Sequence, residues 1–228
     1  METTGQDSEH WRKVAAEWIA WARTPNHDVF WAYREALRGF IGPGSANTLD
    51  VGCGVTACDA VAEMLAAARE AASADEYVLA PVTRLPFADQ SFERVVAYNM
   101  LMDVEDVPAG LREIRRVMRP DGELMISIVH PFSDRGRFDG DAPDAPFIVK
   151  GSYFGREGFE GVEERDGLTM HFAGWSMPLE EYAAALAEAG LAITALREPQ
   201  PSPAPEFARI ARWNRQPLFL WLKARPMA

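Results

Sequence analysis

The chain has 228 residues, of which 48% are hydrophobic and 25% are charged, and these proportions suit one globular domain with a single core. Its formal net charge of −11 makes nucleic acid and anionic membranes poor partners, although such acidity is also a common aid to solubility. The cysteines, Cys53 and Cys58, are too few for a disulfide scaffold or a zinc cluster, so we expect a reducing cytoplasm and no metal. The acidic N-terminus is unlike a signal peptide, and no apolar run approaches the ~20 residues of a membrane span.

The first half of the chain alternates between predicted strands and helices. Apolar residues at helical spacing predict two opening helices, at 10–23 and 27–40, and Asp28 can cap the second. Strands are then predicted at 47–51, 55–59, 76–82, 93–101 and 123–130, with helices at 60–72 and 107–119. Such alternation favours an open, mostly parallel α/β sheet, in which ligands bind at the carboxyl ends of the strands.

The second half of the chain departs from this alternation. Residues 131–167 are rich in Gly, Pro and Asp and are predicted to be a loop-like insertion, from which 147–154 would pair in a hairpin with 168–175. The last predicted elements are a helix at 178–189 and strands at 192–198 and 217–225. Because no helix joins those two strands, we expect them to be antiparallel neighbours.

The stretch "LDVGCG" places Asp50, Gly52 and Gly54 at the end of the first sheet strand. Glycines let the backbone turn sharply and approach a ligand without an intervening Cβ. A dinucleotide-binding loop would carry a third glycine where this chain has Ala57, and its pyrophosphate would be repelled by Asp50. The stretch therefore predicts either a site for a ligand with positive groups or an ordinary strand-to-loop turn.

Further candidate residues follow the next strand ends. Asp59 either accepts hydrogen bonds from ribose hydroxyls or caps the following helix. Val82 and Thr83 offer apolar surface and a hydroxyl in the loop after the third strand, which commonly lines an adenine pocket in sheets of this kind. Asn99 and Met100 would stand at the mouth of the cleft, where backbone carbonyls can receive an ammonium group.

His130 is the one histidine predicted at a strand end over the cleft. Histidine titrates near neutral pH, so His130 is predicted either as a general base or as a structural histidine before Pro131. His171 and Trp175 either line the substrate cavity or pack in the core.

In combination, these residues resemble the class I S-adenosylmethionine-dependent methyltransferases, in particular the small-molecule branch related to methyltransferase domain 11. The resemblance covers about residues 48–131 and is weaker in the helix at 178–189 and in the final strands. It is carried by an ordered series: "LDVGCG", Asp59, "EMLAAAREA", "RLPFADQSFERVVAYN", "REIRRVMRPDGELMIS" and "HP". Each motif alone is weak, whereas the ordered set is specific.

The resemblance implies a Rossmann-like seven-stranded sheet with helices on both faces, in the order 3-2-1-4-5-7-6 with strand 7 antiparallel. It implies S-adenosylmethionine as cofactor and S-adenosylhomocysteine as product. The implied cofactor residues are Asp50, Gly52 and Gly54 beside the methionine part, Asp59 at the ribose, Val82 and Thr83 near adenine, and Asn99 and Met100 at the end of the fourth strand. The N-terminal helices would cap the cleft, where Trp18, Trp21 and Tyr33 are expected to bind substrate. The aromatic rings of these three residues and of Phe30 could also stabilise a nearby cation.

The chain departs from the family pattern at two places. Pro81 stands where the family often has an acid for the adenine amino group. No crossover separates Gly54 from Val55, although parallel neighbours need roughly a dozen connecting residues. Either 55–72 form the first helix and the second strand is lost, or the crossover residues are absent after Gly54; the β-branched Val55 and Thr56 favour the latter.

The expected protein is a single cytoplasmic methyltransferase domain over 1–228, a monomer or homodimer that methylates a small molecule such as a secondary metabolite. Its expected parts are a helical cap (1–45), a cofactor-binding core (46–130), a lid-like insertion (131–177) and a C-terminal helix and strands (178–228). Two alternatives stay open. One is a non-catalytic relative with a truncated cofactor loop, and the other, disfavoured by Asp50 and the missing third glycine, is a nucleotide-binding oxidoreductase.

Overall fold

The computed structural model describes residues 6–45, 47–51, 56–140 and 142–227. Within them lie the α-helices α1 (Gln6–Arg23), α2 (Phe30–Ile41), α3 (Ala62–Glu70), α4 (Val107–Val117) and α5 (Leu179–Glu188). The strands are β1 (Thr48–Val51), β2 (Thr56–Asp59), β3 (Glu76–Leu79), β4 (Phe92–Tyr98), β5 (Met118–Val129), β6 (Gly136–Phe138), β7 (Phe147–Val149), β8 (Glu157–Arg165), β9 (Leu168–Ser176), β10 (Leu191–Arg197) and β11 (Phe219–Pro226). The 3₁₀ helices are η1 (Leu101–Asp103), η2 (Ser133–Arg135) and η3 (Pro205–Asn214).

Seven of the described strands form one open sheet, in the order β3-β2-β1-β4-β5-β11-β10. The strands from β3 to β5 pair in parallel, whereas β11 runs antiparallel to both β5 and β10. Helix α2 packs on one face, and α4 and α5 pack on the other. The predicted strand order and the antiparallel pairing of the last two strands are confirmed.

The second strand of the sheet is present as a strand. In the parallel pair of β1 and β2, Leu49 lies opposite Thr56 and Val51 opposite Cys58. The alternative in which 55–72 form one helix is therefore wrong, because Thr56 to Asp59 are extended and α3 begins only at Ala62. Residues 52–55, which connect the two strands, lie outside the described residues. The prediction that crossover residues are absent after Gly54 concerns this same segment.

Helix α4 shows how the sequence builds one face of the sheet. The Ala109 N–H donates to the Asp106 carboxylate at 2.9 Å, and Pro108 occupies the first turn, so the helix begins at a favourable cap. Leu111 and Ile114 recur on the inward side of the helix and are fully buried. They join an aliphatic core whose other members include Leu49, Val95, Leu124, Ile126, Leu186 and Leu222.

The opposite face of the sheet has a more aromatic core. It packs α2 and η3 against the sheet through Tyr33, Leu37, Ile210 and Trp221. The Tyr33 ring lies edge-on to Phe219, with 4.9 Å between the ring centroids. Aromatic residues therefore join the cap to this face of the sheet.

Residues 131–176 contain two hairpins where the sequence predicted mostly loop. Strand β6 pairs with β7, and β8 pairs with β9 along its whole length. The predicted pairing of 147–154 with 168–175 is wrong, because the partner of β9 is β8. The two-residue turn between them is Asp166-Gly167, with φ of 50° and 80°, and Asp-Gly favours a tight hairpin turn.

Helix α1 packs against the second hairpin. Val14 and Trp21 of α1 meet the fully buried Met170 of β9, with Trp18 and Phe172 beside them. The hairpin also passes over η1, where a Cβ on Gly174 would lie 2.9 Å from the Met102 carbonyl oxygen. Only glycine permits that approach, so α1 and the β8–β9 hairpin are seated together above the carboxyl end of β4.

Candidate active site

The carboxyl ends of β1, β2 and β4 bring several predicted cofactor residues to one edge of the sheet. Asp50 in β1 lies opposite Ala57 of β2 and Val96 of β4. Asp59 ends β2, and Asn99 directly follows β4. The predicted Gly52 and Gly54 fall outside the described residues. The described part of the predicted cofactor site therefore centres on two carboxylates and one asparagine.

The Asp50 carboxyl is the most deeply enclosed of these groups. Its Oδ1 atom is buried and has no hydrogen-bond partner among the described residues. Burial raises the pKa of Asp50 well above its ordinary value, and the nearby charge of Asp59 raises it further. A buried acceptor without a donor is costly, so this carboxyl suits a ligand that brings N–H or positively charged groups.

Asp59 bonds to the backbone just before α3, as expected for its capping role, while the ribose role stays a prediction. Its Oδ1 accepts a hydrogen bond from the Val61 N–H at 2.8 Å, just before α3 begins. Burial raises the pKa of Asp59 to about 6, against the opposing effect of the Val61 and Ala60 backbone N–H groups. The side chain stays half-buried at the edge of the sheet, so capping does not remove it from the cleft.

Asn99 has an unusual backbone at the end of β4. Its φ of 46° is left-handed, a conformation that asparagine tolerates better than most residues. The Asn99 N–H donates to the Ser127 carbonyl at 2.8 Å, and the Ser127 hydroxyl donates to Asn99 Oδ1 at 2.6 Å. Met100, which follows, packs against the aliphatic core. Strand β5 therefore fixes the turn that ends β4.

The predicted adenine residues divide between core and cleft. The Val82 side chain is buried in the aliphatic core, where a Cβ on Gly110 of α4 would lie 3.1 Å from its Cγ1 atom. Thr83 is half-buried and Pro81 is exposed. Val82 can thus reach a ligand through its backbone, whereas its side chain serves packing.

Both ring nitrogens of His130 are engaged. The Phe132 N–H donates to Nδ1 at 3.2 Å, so Nε2 carries the proton and donates to Glu198 at 3.0 Å. The His130 N–H also donates to the Leu218 carbonyl at 2.8 Å. These contacts tie the end of β5 to the segments before and after η3. They suit the interpretation of His130 as a structural histidine, and its role as a general base stays a prediction.

Most of the predicted substrate residues pack the cap against the hairpin. Trp18 and Trp21 lie edge-on to Phe172, and the Trp175 ring stacks under the Arg156 guanidinium at 4.1 Å. The ring of His171 bonds to Glu17 of α1 at 2.8 Å. His171 also lines an open surface cavity of about 490 Å³, together with His10, Lys13 and Phe172.

Tyr33 differs from these residues, because it lies beside two further polar residues, Asp28 and Tyr98. Its hydroxyl is buried without a hydrogen-bond partner among the described residues. Tyr33 packs in the same core as Phe30 and Tyr98, whose rings lie 5.7 Å apart, and the Phe30 N–H donates to Asp28 at 2.7 Å. Burial raises the pKa of Tyr98, and the nearby Asp28 and Tyr33 raise it further. We call Asp28, Tyr33 and Tyr98 the acid–tyrosine cluster. The sequence signal for Asp28 was only that of a helix cap, and Tyr98 was counted as a strand residue.

Two arginines converge beside the acid–tyrosine cluster. Arg165, at the end of β8, donates to the His27 carbonyl. Arg209 of η3 donates to the same carbonyl at 2.7 Å and to the Asn26 carbonyl at 2.9 Å. The hairpin and η3 therefore meet at one point of the α1–α2 connection.

A second acidic group lies at the ends of β4 and β5. Burial raises the pKa of Asp134 in η2 to about 7, with a smaller opposing effect from Arg135. Burial raises the pKa of Tyr182 in α5, and the nearby Asp134 and Asp103 raise it further. Among the described residues, no three His, Cys, Asp or Glu side chains are arranged to hold a metal ion. Within the same residues, no helix combines the length and apolarity of a membrane span.

With this geometry in place, the chain can be compared with known proteins. Residues 41–126 match the family of methyltransferase domains. Over these residues the chain is similar to methyltransferase domains, and its overall fold is that of the class I S-adenosylmethionine-dependent methyltransferases. The fold is also that of an S-adenosylmethionine-dependent methyltransferase from Mesorhizobium loti, with a TM-score of 0.62, 22% identity and coverage of 87% of this chain and 98% of the other. The [4+2]-cyclase SpnF is similar too, with a TM-score of 0.61, 15% identity and coverage of 98% and 96%.

A curated relative is the malonyl-[acyl-carrier protein] O-methyltransferase of Erwinia pyrifoliae, which is 38% identical over 100 aligned positions. The match takes up 37% of this chain and spans only 38% of the relative's length.

Proposed function

We propose that this chain is an S-adenosylmethionine-dependent methyltransferase that transfers a methyl group to a small-molecule acceptor, releasing S-adenosylhomocysteine. The observation that carries the proposal is the pair of half-buried carboxylates, Asp50 and Asp59, at the ends of adjacent strands in a sheet of methyltransferase order. The orphaned Oδ1 of Asp50 fits a ligand that is positively charged beside this strand. The residues present therefore fit the cofactor.

Each described residue has a separate part in holding that cofactor. Asp50 would face the positively charged methionine portion, and ionised Asp59 would accept hydrogen bonds from the ribose hydroxyls. Asn99 would present its backbone at the end of β4, and Val82 and Thr83 would wall the adenine. Gly52 and Gly54 would let the backbone approach closely. The bound cofactor supplies a methyl group on a sulfonium centre, which is already a good leaving group.

The protein's main contribution to the reaction is positioning. Holding the acceptor in line with the transferable methyl group can supply much of the rate gain. A base is needed only if the acceptor carries a proton, and His130 stays the predicted base. We further propose a cytoplasmic monomer or homodimer with no nucleic-acid partner, in keeping with the net charge of −11.

Calorimetry tests the cofactor assignment directly. S-adenosylmethionine and S-adenosylhomocysteine should both bind, and the variant Asp59→Asn should weaken both by roughly tenfold through the lost ribose contacts. Glu70→Gln, an exposed carboxylate on α3, is the matched control and should leave affinity unchanged. Binding of a nicotinamide dinucleotide in place of both compounds would favour the oxidoreductase alternative.

A second candidate is a binding protein of this fold that does not transfer methyl groups. Two observations favour it: only residues 52–55 connect the parallel strands β1 and β2, and one protein of similar fold is named as a cyclase. Transfer of a labelled methyl group, screened against a panel of small alcohols, phenols and amines, separates the two. Cofactor binding without labelling of any acceptor would favour the second candidate.

A further inference from the structure

The acid–tyrosine cluster has no part in holding the cofactor as proposed above. We propose that this cluster forms the acceptor site and takes a small molecule that carries a protonated amine. The inference rests on the proposed function, because an acceptor site has meaning only beside a methyl donor.

The cluster lies at the correct edge of the sheet for an acceptor. Tyr98 is the last residue of β4 and immediately precedes Asn99. Asp50 lies opposite Val96, and side chains two residues apart on a strand share a face, so Tyr98 stands on the Asp50 side of the sheet. A molecule bound at Tyr98 would therefore be next to the predicted cofactor residues, one step further toward the open edge.

The Asp28 carboxylate supplies negative charge at this place. It accepts hydrogen bonds from the Phe30 N–H, at 2.7 Å, and from the Trp21 indole. Among the residues that the structure describes, no lysine or arginine forms an ion pair with it. Arg165 and Arg209 donate instead to backbone carbonyls. Burial raises the pKa of Asp28, and the charges of the two arginines only partly oppose that effect, so the carboxyl lacks a full counter-charge. A half-buried carboxylate without a counter-ion is stabilised by a cationic ligand.

The surroundings of this carboxylate suit an ammonium group better than a neutral or anionic one. The rings of Phe30 and Tyr98 lie edge to face, 5.7 Å apart, beside the carboxyl. Tyr33 is only 1% exposed, and its hydroxyl oxygen is a free acceptor. Aromatic faces, a carboxylate and an unpaired hydroxyl together provide the contacts that an N–H-rich cation requires.

Calorimetry with two matched probes tests this site. Benzylamine, protonated at pH 7.5, and benzyl alcohol, its neutral counterpart, are titrated into protein saturated with S-adenosylhomocysteine. Benzylamine should bind roughly tenfold more tightly, and Asp28→Asn should remove that difference while leaving benzyl alcohol unchanged. Asp166→Asn removes a carboxylate from the neighbouring hairpin turn and should preserve the preference. Tyr33→Phe should weaken benzylamine binding by roughly threefold.

Three results would overturn the inference. They are equal binding of the two probes by the unmodified protein, equal effects of Asp28→Asn and Asp166→Asn, and competition between benzylamine and S-adenosylhomocysteine. If Asp28→Asn does not fold, Tyr33→Phe decides, since unchanged benzylamine affinity in that variant also excludes the site. If S-adenosylhomocysteine fails to bind while benzylamine binding still depends on Asp28, the methyltransferase proposal fails and the amine site stands.

Discussion

The two faces of the sheet carry different kinds of side chain. The face under α4 and α5 is packed with aliphatic side chains, among which Leu111, Ile114 and Leu124 are completely buried. The face under α2 carries Asp50, Tyr33 and Trp221, each with a buried polar atom that lacks a partner among the described residues. Natural cores rarely leave such atoms unpaired. The first face is thus an aliphatic core, and the second contains the unpaired polar atoms on which the two proposals rest.

The largest expected effect lies on the aliphatic face. Ile114→Ala removes a fully buried side chain from between α4 and the sheet, and should lower the free energy of unfolding by about 3 kcal/mol. Urea unfolding measures this loss. The affinity of the folded protein for S-adenosylhomocysteine should not change. A loss of affinity at a temperature where the variant is fully folded would show that the two faces are not separate in function.

A pH-dependent effect is expected at the edge of that same face. Burial raises the pKa of Asp134 to about 7, so its ionised form is less favourable in the folded protein than in the unfolded chain. Stability should therefore be intact below about pH 4 and fall as pH rises through about 7. Asp134→Asn should be more stable than the unmodified protein at pH 8, by about 2 kcal/mol, and nearly equal to it at pH 4. Urea unfolding at both pH values checks the sign; a difference independent of pH would exclude this origin.

Asp59 provides the corresponding test on the ligand side. Its pKa of about 6 lies above the ordinary value, so the carboxylate is lost as pH falls through about 6. Affinity for S-adenosylmethionine should fall by up to about tenfold per pH unit below that point, because only the ionised group can accept from both ribose hydroxyls. Asp59→Asn should be nearly independent of pH over the same range. Equal pH profiles for the two proteins would place the titration elsewhere.

The smallest expected effect concerns Tyr33. Because its buried hydroxyl has no partner, Tyr33→Phe should leave the free energy of unfolding unchanged or raise it by about 0.5 kcal/mol. Ser127→Ala is the comparison, since the Ser127 hydroxyl bonds to Asn99 and its loss should cost about 1 kcal/mol. Thermal unfolding of both variants ranks them. If Tyr33→Phe is more destabilising than Ser127→Ala, the Tyr33 hydroxyl is not an unpaired group available to a ligand.

The sequence predicted the sheet better than the site. The strand order was implied by the family resemblance, and α4 lies within the helix that the sequence predicts at 107–119. The hairpin was assigned the wrong partner, although Asp166-Gly167 is a strong local turn signal that should have identified it. The pairing of His130 with Glu198 joins residues 68 positions apart, and no local pattern encodes it. Asp28 looked like a cap and is one in part, so its second environment was visible only once Tyr33 and Tyr98 were placed beside it.

The shared use of the His27 carbonyl by Arg165 and Arg209 has a kinetic consequence. Any opening of the cap over the acid–tyrosine cluster must separate the α1–α2 connection from the hairpin and from η3. If one guanidinium releases the carbonyl, the other still holds it, so both contacts must break before these segments can separate. On the acceptor-site proposal, a substitution of Arg209 would therefore shorten the residence time of a bound amine even though Arg209 itself donates only to backbone carbonyls.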